Sequence, residues 1–288
     1  MTIRQIDGMR ALAPAYEGFI LDLWGVVHDG VAPFPGVLDC MARLRAAGKR
    51  VVLLSNAPRR SDDVVRRIAK IGVPEDHFDG VMSSGEEAWQ FLARRADPFY
   101  AALGRRCLHI CSDRDLEIRE GLDLQFVDDV DTADFLLNTG PAEWDNTIED
   151  YAPVLDVALR RDLPMVCANP DLVVIHAGKA ALCAGALAEH YERAGGRVRW
   201  HGKPFPSVYD SCLDLLGLAD KRRILAIGDS LRTDIAGAAA AGIDSLFIVS
   251  GIHAGEFSDG DALDIGRIEA ALDPATMAPV AMARSFTW

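Results

Sequence analysis

Residues 19–30 read FILDLWGVVHDG, and the fold turns on how that stretch is parsed. Phe19–Trp24 is short and apolar, the pattern of a buried strand, yet it carries a carboxylate at Asp22. Burying an unpaired carboxylate is costly, so Asp22 needs a cation or several donors close by. An Asp capping a turn is the plain alternative. Downstream, Val37, Leu38, Met41 and Leu44 recur at helical spacing within Gly36–Ala47, and Gly48 ends the run. Arg50–Asn56 (RVVLLSN) is then almost continuously apolar, as strands covered on both faces of a parallel sheet are. Ser61 reads as an N-cap, with Asp62 and Asp63 in the first turn and Gly72 as the stop. Strand, helix, strand, helix is the rhythm of βαβ units in an open α/β sheet.

The rhythm continues along the chain. Ser84-Gly85-Glu86-Glu87 reads as a capping box opening a helix through Trp89, Phe91 and Leu92. Strands are expected at Arg106–Ser112, Ala133–Thr139, Met165–Ala168, Arg197–Trp200, Arg223–Gly228 and Ser245–Val249, the last taken as the final strand of the sheet. Helices are expected at about Glu149–Arg161, Gly178–Arg193, Pro206–Leu216 and Leu231–Ala241. The tail from about Pro274 carries no readable motif.

Four clusters put polar groups just after strands that a sheet would bury: Asp22 with the loop to Gly30, Ser55-Asn56, His201-Gly202-Lys203-Pro204, and Ile227-Gly228-Asp229 through Asp234. In open α/β sheets ligands bind at the carboxyl ends of strands, so clusters at four such ends can converge. Lys203, set between Gly and Pro before a helix, can meet a phosphate as a point charge. Asp229 and Asp234 lie five apart across a strand-to-helix turn, with a glycine giving room for close backbone approach. Such oxygen ligands suit Mg²⁺, which takes one or two carboxylates and keeps several waters. Ser55-Asn56 alone is equally at home in an ordinary turn.

Composition bounds the function from outside. The chain has 288 residues, half hydrophobic and a quarter charged, enough apolar material for one large core or two modest ones. Forty-three acidic against 30 basic residues give a net charge of −13, which argues against nucleic acid and against an anionic membrane as partners. Six cysteines without a C-x-x-C pair form no zinc or disulfide framework; Cys107 and Cys111 read as core packing. The N-terminal stretch has no long apolar segment of a signal peptide, and no long uncharged apolar run spans a membrane. A cytoplasmic location is expected.

Taken in order, carboxylate, hydroxyl, lysine and carboxylate pair resemble the four motifs of the haloacid dehalogenase (HAD) superfamily. Asn169-Pro170-Asp171, the Ala/Gly-rich stretch after it and Gly202-Lys203-Pro204 resemble its subclass IIA, which includes nucleotide, sugar-phosphate, nitrophenyl-phosphate and pyridoxal-phosphate phosphatases. The resemblance implies an α/β fold: a Rossmann-like parallel-sheet HAD core at residues 1–83 and 181–288, with an inserted α/β C2-type cap at 84–180. It implies a Mg²⁺-dependent hydrolase of a small phosphorylated metabolite in which Asp22 attacks phosphorus and becomes an aspartyl-phosphate. Mg²⁺ would be held by Asp22, the main-chain carbonyl of Trp24 and Asp229, with Asp234 supporting the metal or its waters. Ser55 and Lys203 would hold phosphate oxygens, and Asn56 and Asn169 would orient phosphate or substrate. Cap-to-cap homodimers occur in this group.

Position 24 departs from the pattern. The family's first motif is Asp-x-Asp, whose second Asp is general acid and base; here that residue is Trp24, and an indole cannot exchange a proton. Three readings stay open: another loop group such as His28 or Asp29 serves, the substrate has a good leaving group, or turnover is lost and binding kept. A lone loop His is more often solvated than catalytic. Trp24 is expected to pack under the cap rather than stack on a ligand. A dehalogenase would have little use for Asp229, and a phosphonatase would need a cap lysine, where only Lys179 stands near the border.

Overall fold

The computed structural model describes residues 3–176, 179–251, 254–259, 262–273 and 276–288. The chain divides into two compact units. One takes Met1–Ser55, Asp62–Met82 and Lys203–Trp288, and the other takes Asn56–Ser61 and Ser83–Gly202.

Among the described residues, the first unit builds a seven-stranded sheet. Its strands run in the spatial order Gln5–Ile6, Ala281–Ala283, Asp244–Ile248, Ile224–Gly228, Gly18–Asp22, Arg50–Ser55 and Gly80–Ser83. Pairing through its middle is parallel, with Leu21 opposite Ile227 and Asp22 opposite Leu54. Every residue of Gly18–Asp22 and of Ile224–Gly228 is buried, which is why both, Asp22 apart, read as apolar runs. Ile20, Val52, Leu54 and Ala226 point into one core with Val208, Tyr209, Cys212 and Leu216 of the helix Pro206–Leu216. From Gly18–Asp22 the chain winds outward through Arg50–Ser55 on one side, and Ile224–Gly228 borders it on the other. The crevice between their carboxyl ends is therefore the topological switch point.

The second unit has a five-stranded parallel sheet in the order Val198–Trp200, Met165–Cys167, Phe135–Asn138, Arg106–Ile110 and Gln125–Val127. Leu155 and Ala158 of the helix Ile148–Arg160 and Leu187 and Tyr191 of the helix Ala184–Arg193 cover one face. Ala88 and Leu92 of the helix Ser84–Arg94 pack into the core on the other. None of the six cysteines is in a disulfide. Among the described residues, no helix is long and apolar enough to cross a membrane.

Several expectations need correction. The stretch expected as one helix from Gly178 begins outside the described residues; Lys179–Leu182 is a strand paired antiparallel with Val173–His176, and the helix opens only at Ala184. Alanine propensity gives way because the Val-Val-Ile run offers a β edge, and because Gly185 N–H bonds the Asp171 carbonyl at 3.0 Å. Ser83, not Ser84, caps the helix Ser84–Arg94, its hydroxyl accepting Glu86 N–H at 2.9 Å. Asp244–Ile248 is not the last strand, since Ala281–Ala283 pairs with it inside the unread tail. The boundary expected at 180/181 falls at 202/203, because Val198–Trp200 pairs with Met165–Cys167 in the second sheet.

Candidate active site

Register places the first unit's carboxylates. With Leu21 opposite Ile227, Asp22 ends its strand beside Gly228, and Asp229 is the next residue out. Asp234 returns to the same place because the turn after the strand is wide. Leu231–Ile235 forms one π-helical turn in which Ile235 N–H reaches the Ser230 carbonyl at 3.1 Å, ahead of the helix Ala236–Ala241. The Asp234 carboxylate folds back to accept Ser230 N–H at 3.1 Å. Carboxylate oxygens of Asp22, Asp229 and Asp234, all buried, lie within 4.8 Å of one another.

Lys203 bridges two of them, its Nζ 2.5 Å from Asp22 Oδ1 and 2.8 Å from Asp234 Oδ1. Burial pushes the Asp22 carboxyl well above the usual carboxylate range; Lys203 opposes that push, while Asp234 and Asp229 add to it. Burial also works against the Lys203 ammonium, but Asp22 and Asp234 outweigh it and hold its pKa well above that of a free lysine. Tyr209 closes the floor, donating its hydroxyl to the Asp234 carbonyl at 3.1 Å.

Two glycines make room for Asp229. A Cβ on Gly25, at φ +85°, would stand 1.9 Å from Asp229 Oδ2, and one on Gly251 would stand 2.0 Å from it. Gly25 lies in the quoted loop. Gly251 went unnoticed in the sequence, though a glycine just past a strand exit was its signal. In the turn after Asp22, Val27 and His28 N–H both go to the Leu23 carbonyl and Gly25 N–H goes to that of His28. None of the three uses the Trp24 carbonyl.

His28 departs from expectation. Trp24 is 53% exposed. Its ring lies on Gly30, whose missing side chain would meet it at 2.4 Å, and it meets the His28 ring edge-on at 5.6 Å. His28, expected to be solvated, is buried; its Nδ1 accepts Gly30 N–H at 3.0 Å, and burial lowers its pKa against the pull of Asp29. Asp29 caps the next turn, accepting Val31 and Ala32 N–H through Oδ1.

The structure thus brings together Asp22, Lys203, Asp229 and Asp234, with Ser55 at the exit of the adjoining strand, one residue past Asp22's partner Leu54. Asn56 and Asn169 belong to the second unit, where both meet Asp171. The Asn56 amide donates to its carboxylate at 2.9 Å, and Asn169 Oδ1 accepts its N–H at 3.0 Å. Asp171, quoted in the motif, had no role assigned in the sequence.

A parallel α/β sheet with a lysine-bridged acidic cluster at its switch point is the class these features define. Residues 19–125 match a family model described as haloacid dehalogenase-like hydrolase, and residues 200–264 match one described as HAD-hydrolase-like. A solved hydrolase of the haloacid dehalogenase-like family from Brucella suis 1330 is 34% identical, with a TM-score of 0.83 over 98% of this chain and 99% of that one. The chain belongs to the haloacid dehalogenase-like hydrolase family. D-glycerol 3-phosphate phosphatase of Mycobacterium tuberculosis is 25% identical over 85% of this chain, which spans 66% of that protein's length. A solved glycerol phosphate phosphatase from Mycobacterium tuberculosis in complex with calcium matches at 25% identity and a TM-score of 0.66, over 83% of this chain and 68% of that one.

Proposed function

We propose that the chain is a Mg²⁺-dependent hydrolase of a small phosphorylated metabolite, of subclass IIA, working through an aspartyl-phosphate on Asp22. The observation that carries this reading is the convergence of Asp22, Asp229, Asp234 and Lys203 at one switch point. Three buried carboxylates share one ammonium here, so the cluster is rich in negative charge, and hard oxygen donors so close together suit a small divalent cation. When bound, Mg²⁺ would neutralise that charge and let a phosphate dianion approach a carboxylate.

Asp22, the Trp24 carbonyl and Asp229 would hold the metal, with Asp234 fixing its waters. Lys203 grips Asp22 Oδ1 and so orients the carboxylate for attack on phosphorus. Ser55, Lys203 and backbone N–H groups after Asp22 would hold phosphate oxygens, and Asn56 and Asn169 would orient the substrate. Six cysteines without a disulfide fit a reducing, cytoplasmic setting.

Phosphate release from p-nitrophenyl phosphate tests the proposal. Turnover is expected only with Mg²⁺, and both Asp22→Asn and Asp229→Ala abolish it. Wild-type rates in either variant would overturn the assignment. Trp24 favours a second reading, a phosphometabolite-binding protein without turnover; saturable phosphate binding with no hydrolysis of any ester would select it.

A further inference from the structure

Of the stretch His201-Gly202-Lys203-Pro204, the proposed reaction uses only Lys203. The two residues before it end the second unit, and a buried polar set that the reaction does not use holds them there. Tyr100, Glu87 and His201 are all buried, and Tyr100 belongs to the apolar core of Ala88, Leu92, Leu137 and Ala168. His201 Nδ1 faces Glu87 Oε2 at 3.2 Å, so in the neutral ring this nitrogen carries the hydrogen. Nε2 is then the acceptor, and the Tyr100 hydroxyl donates to it. The same oxygen of Glu87 accepts Gly202 N–H at 2.8 Å. The Phe91 ring lies against that of His201, 5.2 Å between centroids, and His201 N–H is tied to the Cys167 carbonyl at 3.0 Å.

A carboxylate is costly to bury, and apolar side chains of similar volume often serve a core as well as a buried ion pair does. Stability alone is therefore a poor reason for this set. What it grips besides itself is one main-chain N–H, that of Gly202. Gly202 is also wedged in place. A Cβ there would stand 2.6 Å from Asn56 Oδ1, 2.7 Å from Ser84 Cβ and 3.1 Å from Pro170 Cδ. Lys203 follows one peptide bond later, and its ammonium is shared between Asp22 and Asp234. A lysine stem is flexible, so an ammonium kept in one place needs a fixed root.

We propose that Glu87, with His201 and Tyr100 behind it, is a positioning residue for Lys203: it locks the main chain at Gly202 and so sets where the lysine starts toward Asp22. The proposal rests on the phosphatase reading, in which Lys203 orients Asp22. The three side chains touch no reacting atom and act only through the main chain.

The test compares Glu87→Leu, which removes both acceptor oxygens, with Glu87→Gln, which keeps a carbonyl oxygen for Gly202 N–H. Lys203 is read directly by reductive methylation of the full chain and peptide mass spectrometry, with exposed Lys70 as internal standard. Leu155→Ala, a core change in the helix Ile148–Arg160, supplies the fall in melting temperature that a merely structural role would cause. Expected in Glu87→Leu are Lys203 methylation ~10-fold faster and a kcat for p-nitrophenyl phosphate with Mg²⁺ ~10–100-fold lower. Glu87→Gln should recover most of both, and Leu155→Ala should move neither below its melting range. If Glu87→Leu does not fold, Tyr100→Phe takes its place, with smaller shifts in the same direction. Lys203 reacting as slowly in these variants as in wild type, or equally fast in Leu155→Ala, overturns the proposal while Asp22-dependent turnover stands. Turnover surviving Asp22→Asn brings down the phosphatase reading and this proposal with it.

Discussion

Asp229 sits where it does because two neighbours lack side chains. Gly25 adopts φ +85° and Gly251 abuts the same carboxylate, so each acts as a spacer for an acidic group on another segment. Gly25→Ala is expected to cost about 1–3 kcal/mol in backbone strain and to displace Asp229. Calorimetric Mg²⁺ titration should show affinity reduced about tenfold or more, equivalent to about 1.4 kcal/mol, in a protein that still melts cooperatively. Lys203 balances the charge. Lys203→Met leaves Asp22 and Asp234 buried without their cation, and urea unfolding without metal should show a loss of about 3–5 kcal/mol. Saturating Mg²⁺ should restore part of it, since a ligand of the native state alone stabilises that state. A variant as stable as wild type without metal would contradict the charge balance described. These groups were legible from strand exits, where the parallel-sheet rule points. The burial of His28 was not, because its ring is held by Gly30 N–H within the folded loop.

Secondary structure was legible where the local pattern and the tertiary need agreed. Pro206–Leu216 was read to the residue, since its apolar spacing and its place over the sheet coincide. Lys179–Leu182 was misread because its alanines favour helix while a β edge waits beside it. In the strand Arg106–Ile110, His109 is held on both ring nitrogens. Arg119 Nε donates to Nδ1 at 2.9 Å, and Nε2 lies 3.0 Å from Thr139 Oγ1. Burial, with help from Arg119, pushes its pKa down to about 3. The unfolded chain titrates near 6.5, so between about pH 3 and 6.5 unfolding takes up a proton. The stability contributed by neutral His109 is therefore complete above about pH 6.5 and is lost as pH falls toward 3, at no more than about 1.4 kcal/mol per unit. His109→Gln should flatten the stability curve across that window in urea titrations at several pH values. Equal slopes in variant and wild type would refute it.

The chain crosses between its two units four times, and its last residues return to the first. Ala281–Ala283 fills the place between Gln5–Ile6 and Asp244–Ile248, and Met282 and Phe286 are buried. Ending the chain at residue 278 would remove both buried side chains, each worth about 1.5–3 kcal/mol, and expose the Asp244–Ile248 strand as a new edge. We expect a lower melting temperature and association on gel filtration. A truncated chain that melts and elutes like the full one would show the tail to be dispensable.

The order of apolar runs, glycine stops and strand-exit acids determined the α/β class and the identity of the acidic cluster with its lysine, because both follow from what a buried parallel strand and its exit require locally. Tertiary structure alone decided that 179–182 is a strand, that the tail joins the sheet, that the units part at 202/203, and which side chains of the Asp22 loop face solvent. Each of those depends on a partner distant in sequence, and no local pattern encodes a distant partner.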